Sequence, residues 1–420
     1  MDSFALAVPP ISTPSGTSLP ATPAKPRIKE HRACRVCGVG RLYTYLDLGA
    51  QALANALRDP DDAISEELRV PLKLQACMTC KLSQLSHVVP KEWMYTTYAY
   101  RSGVSPAWRQ HCASLAREYA RPDALTLDIA SNDGTLVREF TKFGCNAMGV
   151  EPSTSFGGDY NKITQWWTRD VVLRLNLAAQ VDILTAQNVL GHVDDVQDFA
   201  SAIALALAPN GVAVIEVPYL GHLLDSLAFD TIYHEHLSYW SVTALAQLAR
   251  AHGLHVNDVK FLRNIHGGSM RVVLSKSGGQ SENVVGALTD ELHDLKRNEY
   301  LRFSARVTAR IADICEELIA ATPYVGYGAA AKASVMLQCM DVRAYPRFVY
   351  DENEGKQGKC IPGTKVRIVG DINEDARKLE GPMCIFAWVW ADSIIPRLRK
   401  AGYRGAIFVP MPRPRWDVIE

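Results

Sequence analysis

Between residues 125 and 274, apolar runs alternate with amphipathic stretches. The runs at 125–130, 145–150, 181–185 and 211–217 are five to seven residues long and rich in Leu, Ile, Val and Ala, as expected of strands covered on both faces. Segments 135–143 and 196–207 carry apolar residues at helical spacing. The runs at 254–260 and 270–274 supply a last pair of strands. A helical stretch at 101–124, with Trp108, Cys112, Leu115, Ala116 and Tyr119, leads into this unit. The alternation predicts a mostly parallel, Rossmann-like α/β sheet. After a long, charged, helical stretch at 282–321 the pattern resumes with a strand, a Gly-x-Gly turn and a helix start at 324–332. Further strands are expected at 347–350, 366–369, 383–388 and 406–409, a second α/β layer.

Upstream the pattern is different. Residues 1–30 hold Pro9, Pro10, Pro14, Pro20, Pro23 and Pro26 among Ser, Thr and Ala; such a segment buries too little to order itself and reads as a flexible tail. Residues 31–100 are organised by two Cys-x-x-Cys pairs, Cys34/Cys37 and Cys77/Cys80, with 39 residues between them. Four thiolates make the closed tetrahedral set that structural zinc prefers, with no coordination position left for catalysis. The rival readings are two unrelated pairs or a redox dithiol.

Composition narrows the class. The 420 residues are 48% hydrophobic and 21% charged, with 45 basic and 45 acidic side chains. This soluble, globular composition gives no global field for nucleic acid or an anionic membrane. No apolar run approaches the ~20 residues of a membrane span. No secretory signal is seen and the other six cysteines are scattered, so a reducing cytoplasm is the expected compartment.

The loop after the first strand reads Asp128-Ile-Ala-Ser-Asn-Asp-Gly134, at the carboxyl edge where doubly wound sheets bind ligands. It lacks the glycines of a dinucleotide loop. Two carboxylates, Asp128 and Asp133, would repel a pyrophosphate but suit a cationic ligand such as S-adenosylmethionine. Glu151 lies 23 residues beyond Asp128, where a carboxylate can take both ribose hydroxyls. The cofactor-binding candidates are therefore Asp128, Ala130, Asn132, Gly134, Glu151 and Pro152, with Asn188 after a later strand. The bland alternative makes Asn132 and Asp133 ordinary turn residues.

The segment Tyr233-His-Glu-His-Leu-Ser-Tyr-Trp240 gathers two imidazoles, a carboxylate and two phenols. Neutral imidazole suits proton abstraction near pH 7, with a neighbouring carboxylate to orient it. A metal site on His234 and His236, or a loop packed by its aromatics, are the rivals. His192, after another strand, is structural or converges on the same edge.

Taken in order, these motifs resemble a family. Two Cys-x-x-Cys pairs are followed by Asp-Ile-Ala-Ser-Asn-Asp-Gly, Asn-Val-Leu-Gly-His, Tyr-His-Glu-His-Leu-Ser-Tyr, His-Gly-Gly-Ser-Met-Arg, Gly-Tyr-Gly-Ala-Ala-Ala-Lys and Asp-Glu-Asn-Glu-Gly-Lys-Gln-Gly-Lys-Cys-Ile-Pro-Gly-Thr. Over residues 31–420 this is similar to the deoxysugar C-methyltransferases, which use S-adenosylmethionine to methylate a carbon of a nucleotide-linked 4-keto sugar. The resemblance implies a zinc-binding domain (31–100), a class I methyltransferase domain (101–281) and a C-terminal α/β domain that helps hold the nucleotide sugar (282–420). It implies His236 as general base, with Glu235 holding its ring, Tyr233 and His192 lining the sugar site, and Tyr98 as a weaker candidate beside Tyr95 and Tyr100. His234 is a substrate-binding candidate. His266, Gly267, Arg271 and Lys332 are candidates for the diphosphate, since glycine permits close approach and cations offset charge. Arg271 and Lys332 as surface ion pairs are the alternative.

One departure is the short, glycine-rich segment at 154–160. The implied acceptor is a thymidine- or guanosine-diphosphate ketosugar methylated at C3 through an enolate, by a monomer that binds neither nucleic acid nor membrane. An O- or N-methyltransferase of a small metabolite, or a non-catalytic zinc-bearing nucleotide-sugar-binding protein, are the competing readings. The first predicts only a mild loss on replacing His236, the second ligand binding without methyl transfer.

Overall fold

A computed structural model describes residues 26–95, 101–155, 160–262, 268–370, 372 and 376–418. Its centre is a seven-stranded sheet in the order His255–Leu262, Ser269–Ser275, Leu207–Pro218, Val181–Gln187, Leu125–Ile129, Asn146–Val150 and Lys162–Ile163. All pairings are parallel except those of Ser269–Ser275, which runs antiparallel to both neighbours. Four of the five residues in Leu125–Ile129 are buried, the polar Thr126 and Asp128 among them, so both faces of this strand are covered. Gly134 begins the helix Thr135–Lys142. Its φ of 76° lies in the left-handed region, and a Cβ there would sit 2.3 Å from the Tyr160 ring, so the turn requires glycine.

A six-stranded sheet in the order Arg367–Val369, Phe348–Tyr350, Val325–Tyr327, Met383–Ile385, Ile407–Val409 and Arg415–Asp417 forms the C-terminal layer. Only its last pairing is antiparallel. The strand expected over 383–388 ends at Ile385, because the chain turns into a short helical segment, Trp388–Trp390.

The N-terminal unit contains long paired strands that cysteine spacing did not reveal, Leu42–Ala52 and Arg69–Cys77. Its four-stranded sheet is completed by Ser83–Leu85 and, from the central part of the chain, Ser238–Tyr239. The strand immediately after the Tyr-His-Glu-His cluster thus belongs to the cysteine-bearing sheet. The expected tail is shorter than 30 residues at its described end: Lys29–Glu30 pairs with His87–Val88, and residues 1–25 lie outside the described residues.

The helical stretch at 282–321 is two helices, Glu282–Asp294 and Arg297–Ala320. Neither Gly nor Pro marks the break. Tertiary contacts make it: Leu295 is buried in the core, and Glu291 accepts from the amides of Val242 (2.7 Å) and Thr243 (2.8 Å), capping another helix. Tyr300, Phe303, Val307, Ile314 and Leu318 give the longer helix its buried stripe. That stripe joins Tyr45, Leu72 and Leu74 of the N-terminal sheet to the C-terminal layer in one apolar core, each large side chain contributing about 1.5–3 kcal/mol. Among the described residues no helix is long and apolar enough to cross a membrane.

Candidate active site

A cavity of about 1380 Å³ lies between the carboxyl edge of the central sheet, the N-terminal unit and the C-terminal layer. At its sheet end, Asp128 accepts from the Thr185 hydroxyl (2.7 Å). Glu151, at the end of the adjacent strand, accepts from the amides of Asn132 (2.9 Å) and Ser153 (2.8 Å). Burial raises the Asp128 carboxyl to about 7. It also raises that of Glu151, against the pull of the two amides. Two desolvated carboxylates on one wall suit a ligand offering a cation and hydroxyl donors. Ala130 (φ 57°), Asn132 (φ 51°) and Asn188 (φ 54°) hold left-handed conformations around them. Ala130, Asn132, Pro152 and Asn188 line the cavity with the carboxylates.

Asp133 departs from the sequence reading. Its oxygens accept from the Gly103 amide (2.8 Å) and the Thr135 hydroxyl (2.7 Å), so it fastens the loop to the preceding turn and does not present charge to a ligand. Residues 156–159 of the glycine-rich segment lie outside the described residues. Tyr160, just after them, donates to the carbonyl of Asn132 (2.7 Å) and so braces the loop.

Midway along the cavity stand the imidazoles of His192 and His236, ring centroids 5.0 Å apart, with the Tyr233 ring 4.0 Å from His236. His236 Nδ1 lies 2.8 Å from the carbonyl of Thr231. A carbonyl only accepts, so Nδ1 carries the hydrogen and the lone pair of the neutral ring is at Nε2. The carboxylate expected to hold this ring does not do so. Glu235 is buried, accepts from Asn55 Nδ2 (2.6 Å) of the N-terminal unit, and is raised by burial to about 7. Burial lowers His192 to about 4, so it is neutral at pH 7. The Tyr95 hydroxyl donates to the Glu235 carbonyl (3.1 Å) and lies 2.9 Å from His192 Nδ1, so Nδ1 carries the hydrogen of that second contact. Tyr95 is one of the three tyrosines between which spacing could not choose; Tyr98 lies outside the described residues.

On the C-terminal side of the cavity stands Lys332, a half-buried side chain whose Nζ lies 3.7 Å from Asp230 Oδ1 and 5.0 Å from the Trp388 ring centroid. Neither Lys332 Nζ nor Asp230 Oδ1 has a hydrogen-bond partner among the described residues, and Lys332 lines the cavity. Two other candidates are engaged elsewhere. His234 Nε2 is 3.0 Å from the Val70 carbonyl within the N-terminal sheet, neutral because burial lowers it to about 4. Arg271 pairs with Glu216 (2.6 Å) and Glu118 (2.8 Å), and Glu216 also meets His111 (2.7 Å). With its guanidinium committed to a fully buried carboxylate, Arg271 is an internal counter-ion and not a diphosphate ligand. His266 and Gly267 lie outside the described residues.

The two cysteine pairs converge: Cys34 and Cys80 sulfurs are 3.4 Å apart, Cys37 and Cys77 3.5 Å, and all four lie within 4.8 Å of one another. Metal–sulfur bonds of ~2.3 Å in a tetrahedron give sulfur–sulfur edges of about 3.8 Å, so the set fits one zinc ion. These separations far exceed the ~2.05 Å of a disulfide.

Comparison with known proteins decides the family. The C-methyltransferase NovU of Streptomyces niveus is 30% identical over 91% of this chain and 96% of its own length. This chain belongs to the C-methyltransferase family. Family models for a zinc-binding domain, a methyltransferase domain and a C-methyltransferase C-terminal domain match residues 34–95, 100–259 and 264–412 of the C-methyltransferase. A stretch of 158 residues is also similar to a ubiquinone biosynthesis O-methyltransferase of Rhodopseudomonas palustris, 25% identical over 36% of the chain and 60% of that protein. A solved 1,6-didemethyltoxoflavin-N1-methyltransferase from Burkholderia thailandensis aligns with a TM-score of 0.32 at 17% identity, covering 42% of this chain and 81% of that one.

Sequence reasoning also passed over residues that contact the candidate site residues: Asn55 meets Glu235, Thr231 meets His236, and Asp230 and Trp388 meet Lys332. Asn55 and Thr231 sit in segments without chemical motifs, and their roles arise only because separate units meet around residues 231–237. Asp230 and Trp388 are likewise far apart in the chain, and the contact that joins them to Lys332 has no local signal.

Proposed function

We propose that this S-adenosylmethionine-dependent C-methyltransferase methylates C3, the carbon beside the ketone, of a nucleotide-linked 4-keto-6-deoxy sugar. The observation that carries the reading is one cavity whose wall brings together three chemically distinct groups: paired carboxylates, two imidazoles with a phenol, and a half-buried lysine. S-adenosylmethionine bound at the first would supply an electrophilic methyl group; Asp128 would answer its positive charge and Glu151 its ribose hydroxyls.

The ketone acidifies the neighbouring C–H because the resulting carbanion delocalises onto oxygen. His236 Nε2 would take that proton while the Thr231 carbonyl fixes the ring and steadies the imidazolium. Tyr233 would hydrogen-bond the enolate oxygen, while His192, which spends its Nδ1 hydrogen on the Tyr95 hydroxyl, would line the sugar site as a neutral ring and avoid placing a second cation beside the base. Lys332 would offset the diphosphate, with Asp230 and Trp388 setting its position. Holding the nucleophilic carbon in line with the methyl group accounts for much of the rate. A structural zinc ion on the four cysteines would close the N-terminal unit. The three-domain division, action as a monomer and a cytoplasmic setting belong to the same proposal.

The test is mass spectrometry of purified protein incubated with S-adenosylmethionine and thymidine- or guanosine-diphosphate 4-keto-6-deoxy sugars. A product heavier by one methyl group, absent with His236→Ala, is expected. No product from any of these sugars, with cofactor binding intact, would overturn the ketosugar acceptor.

A further inference from the structure

The two imidazoles lie on separate loops of the central unit, yet their rings must keep a fixed relation to each other. Arg35 touches both loops. It sits between Cys34 and Cys37, and its side chain is 1% exposed. Its Nη1 donates to the carbonyl of Leu237 (3.3 Å), the residue after His236, and to that of Leu85 (3.2 Å). Its Nε donates to Asp194 Oδ1 (3.1 Å), two residues after His192. Its backbone is held as well: the Arg35 amide donates to Gln84 Oε1 (2.9 Å), and Gln197 Nε2 donates to the Arg35 carbonyl (2.8 Å).

We infer that Arg35 is a positioning residue for the methyl-transfer site, linking the cysteine knuckle to the His192 and His236 loops and setting the spacing of the two rings. A planar guanidinium has donors in several directions and can hold two carbonyls and a carboxylate together. An ammonium on a lysine stem is a point charge that cannot reproduce that fork. A zinc ion on the four cysteines would make the knuckle a rigid base for the link. This makes the N-terminal unit a part of the active-site framework as well as a wall of the cavity.

The inference rests on His236 and His192 as the working pair, so its test does not depend on finding the acceptor. Histidine-ring ¹³C–¹H NMR signals would be compared in the full-length zinc-loaded protein, Arg35→Lys and Arg35→Gln, with zinc stoichiometry and S-adenosylmethionine affinity measured on each. Lys29→Ala is the control, because it removes a mostly exposed partner of the same Asp194 (2.8 Å) without touching the Leu237 carbonyl. The expected result is movement of both the His192 and His236 signals in the Arg35 variants and not in the control, at unchanged zinc content and within about twofold of the original cofactor affinity. Where a ketosugar is turned over, kcat falls by on the order of ten- to a hundred-fold with little change in the KM for S-adenosylmethionine. Unmoved ring signals in a folded Arg35 variant would overturn the inference. Loss of zinc and fold in both variants would assign the arginine to folding alone and also overturn it. Failure of every sugar with moved ring signals would count against the acceptor and leave the positioning role standing.

Discussion

Replacing Glu235 with glutamine keeps its shape and its bond from Asn55 while removing the ionisable group. In the folded chain burial raises this carboxyl from an ordinary 4.5 to about 7, so between those values the folded state holds a proton that the unfolded state has released. Its contribution is therefore fully present below pH 4.5 and is lost as pH rises through 7. At ~1.36 kcal/mol per pH unit the cost of ionisation reaches about 1.4 kcal/mol at pH 5.5 and about 3.4 kcal/mol at pH 8.5. Glu235→Gln has no such cost, so its stability relative to the parent should improve by about 2 kcal/mol between pH 5.5 and pH 8.5. Asp128, which titrates in the same range, is present in both proteins and cancels. Urea denaturation of the zinc-loaded proteins at the two pH values, followed by tryptophan fluorescence, measures the difference. A stability gap that is the same at both pH values would refute the assignment of a buried, protonated Glu235. Because this carboxyl bonds Asn55 and not the imidazole, the variant should also keep kcat within about tenfold, against the ~10²–10⁴-fold expected on losing a general base.

The remaining predictions separate binding, chemistry and folding. His236→Asn should reduce methyl transfer by roughly 10²–10⁴-fold while leaving S-adenosylmethionine affinity by calorimetry nearly unchanged, since Asp128 and Glu151 lie on another wall. Glu151→Ala leaves the Asn132 and Ser153 amides without their acceptor and should weaken cofactor binding by on the order of ten- to a hundred-fold; unchanged affinity would move the ribose contact elsewhere. Arg271→Met leaves the buried Glu216 carboxylate with His111 alone and should cost roughly 3 kcal/mol in urea. At a permissive temperature its KM for a nucleotide sugar should stay near the parent value, and a large KM rise would restore Arg271 to the diphosphate site.

Much of the site was legible because its chemistry is local. Asp128 and Glu151 end adjacent strands, and strand alternation alone puts their side chains at one sheet edge. Four cysteines in two Cys-x-x-Cys pairs point to one shared metal-ligand set before their convergence is seen. His236 stands out because imidazole, carboxylate and phenol groups are concentrated around it. Apolar periodicity likewise marked both α/β layers, since a strand buried on two faces is apolar over most of its length.

Other assignments depended on what comes from a distance. Glu235 follows His234 and precedes His236, yet one imidazole turns to the Val70 carbonyl and the other to that of Thr231, while the carboxyl meets Asn55. Neighbours in a sequence share no guarantee of direction, and each side chain goes where a buried polar group finds its partner. Arg271 looked like an anion ligand until Glu216, fully buried on the next strand, took its charge. The break at Leu295 has no residue that disfavours helix; burial of that leucine and capping by Glu291 impose it. The sequence by itself determined the apolar strands, the thiolate set and the types of reactive group. Only the tertiary structure decided which polar groups are spent on one another and which remain facing the cavity, because desolvation makes a buried donor, acceptor or charge costly unless a partner stands near it in space.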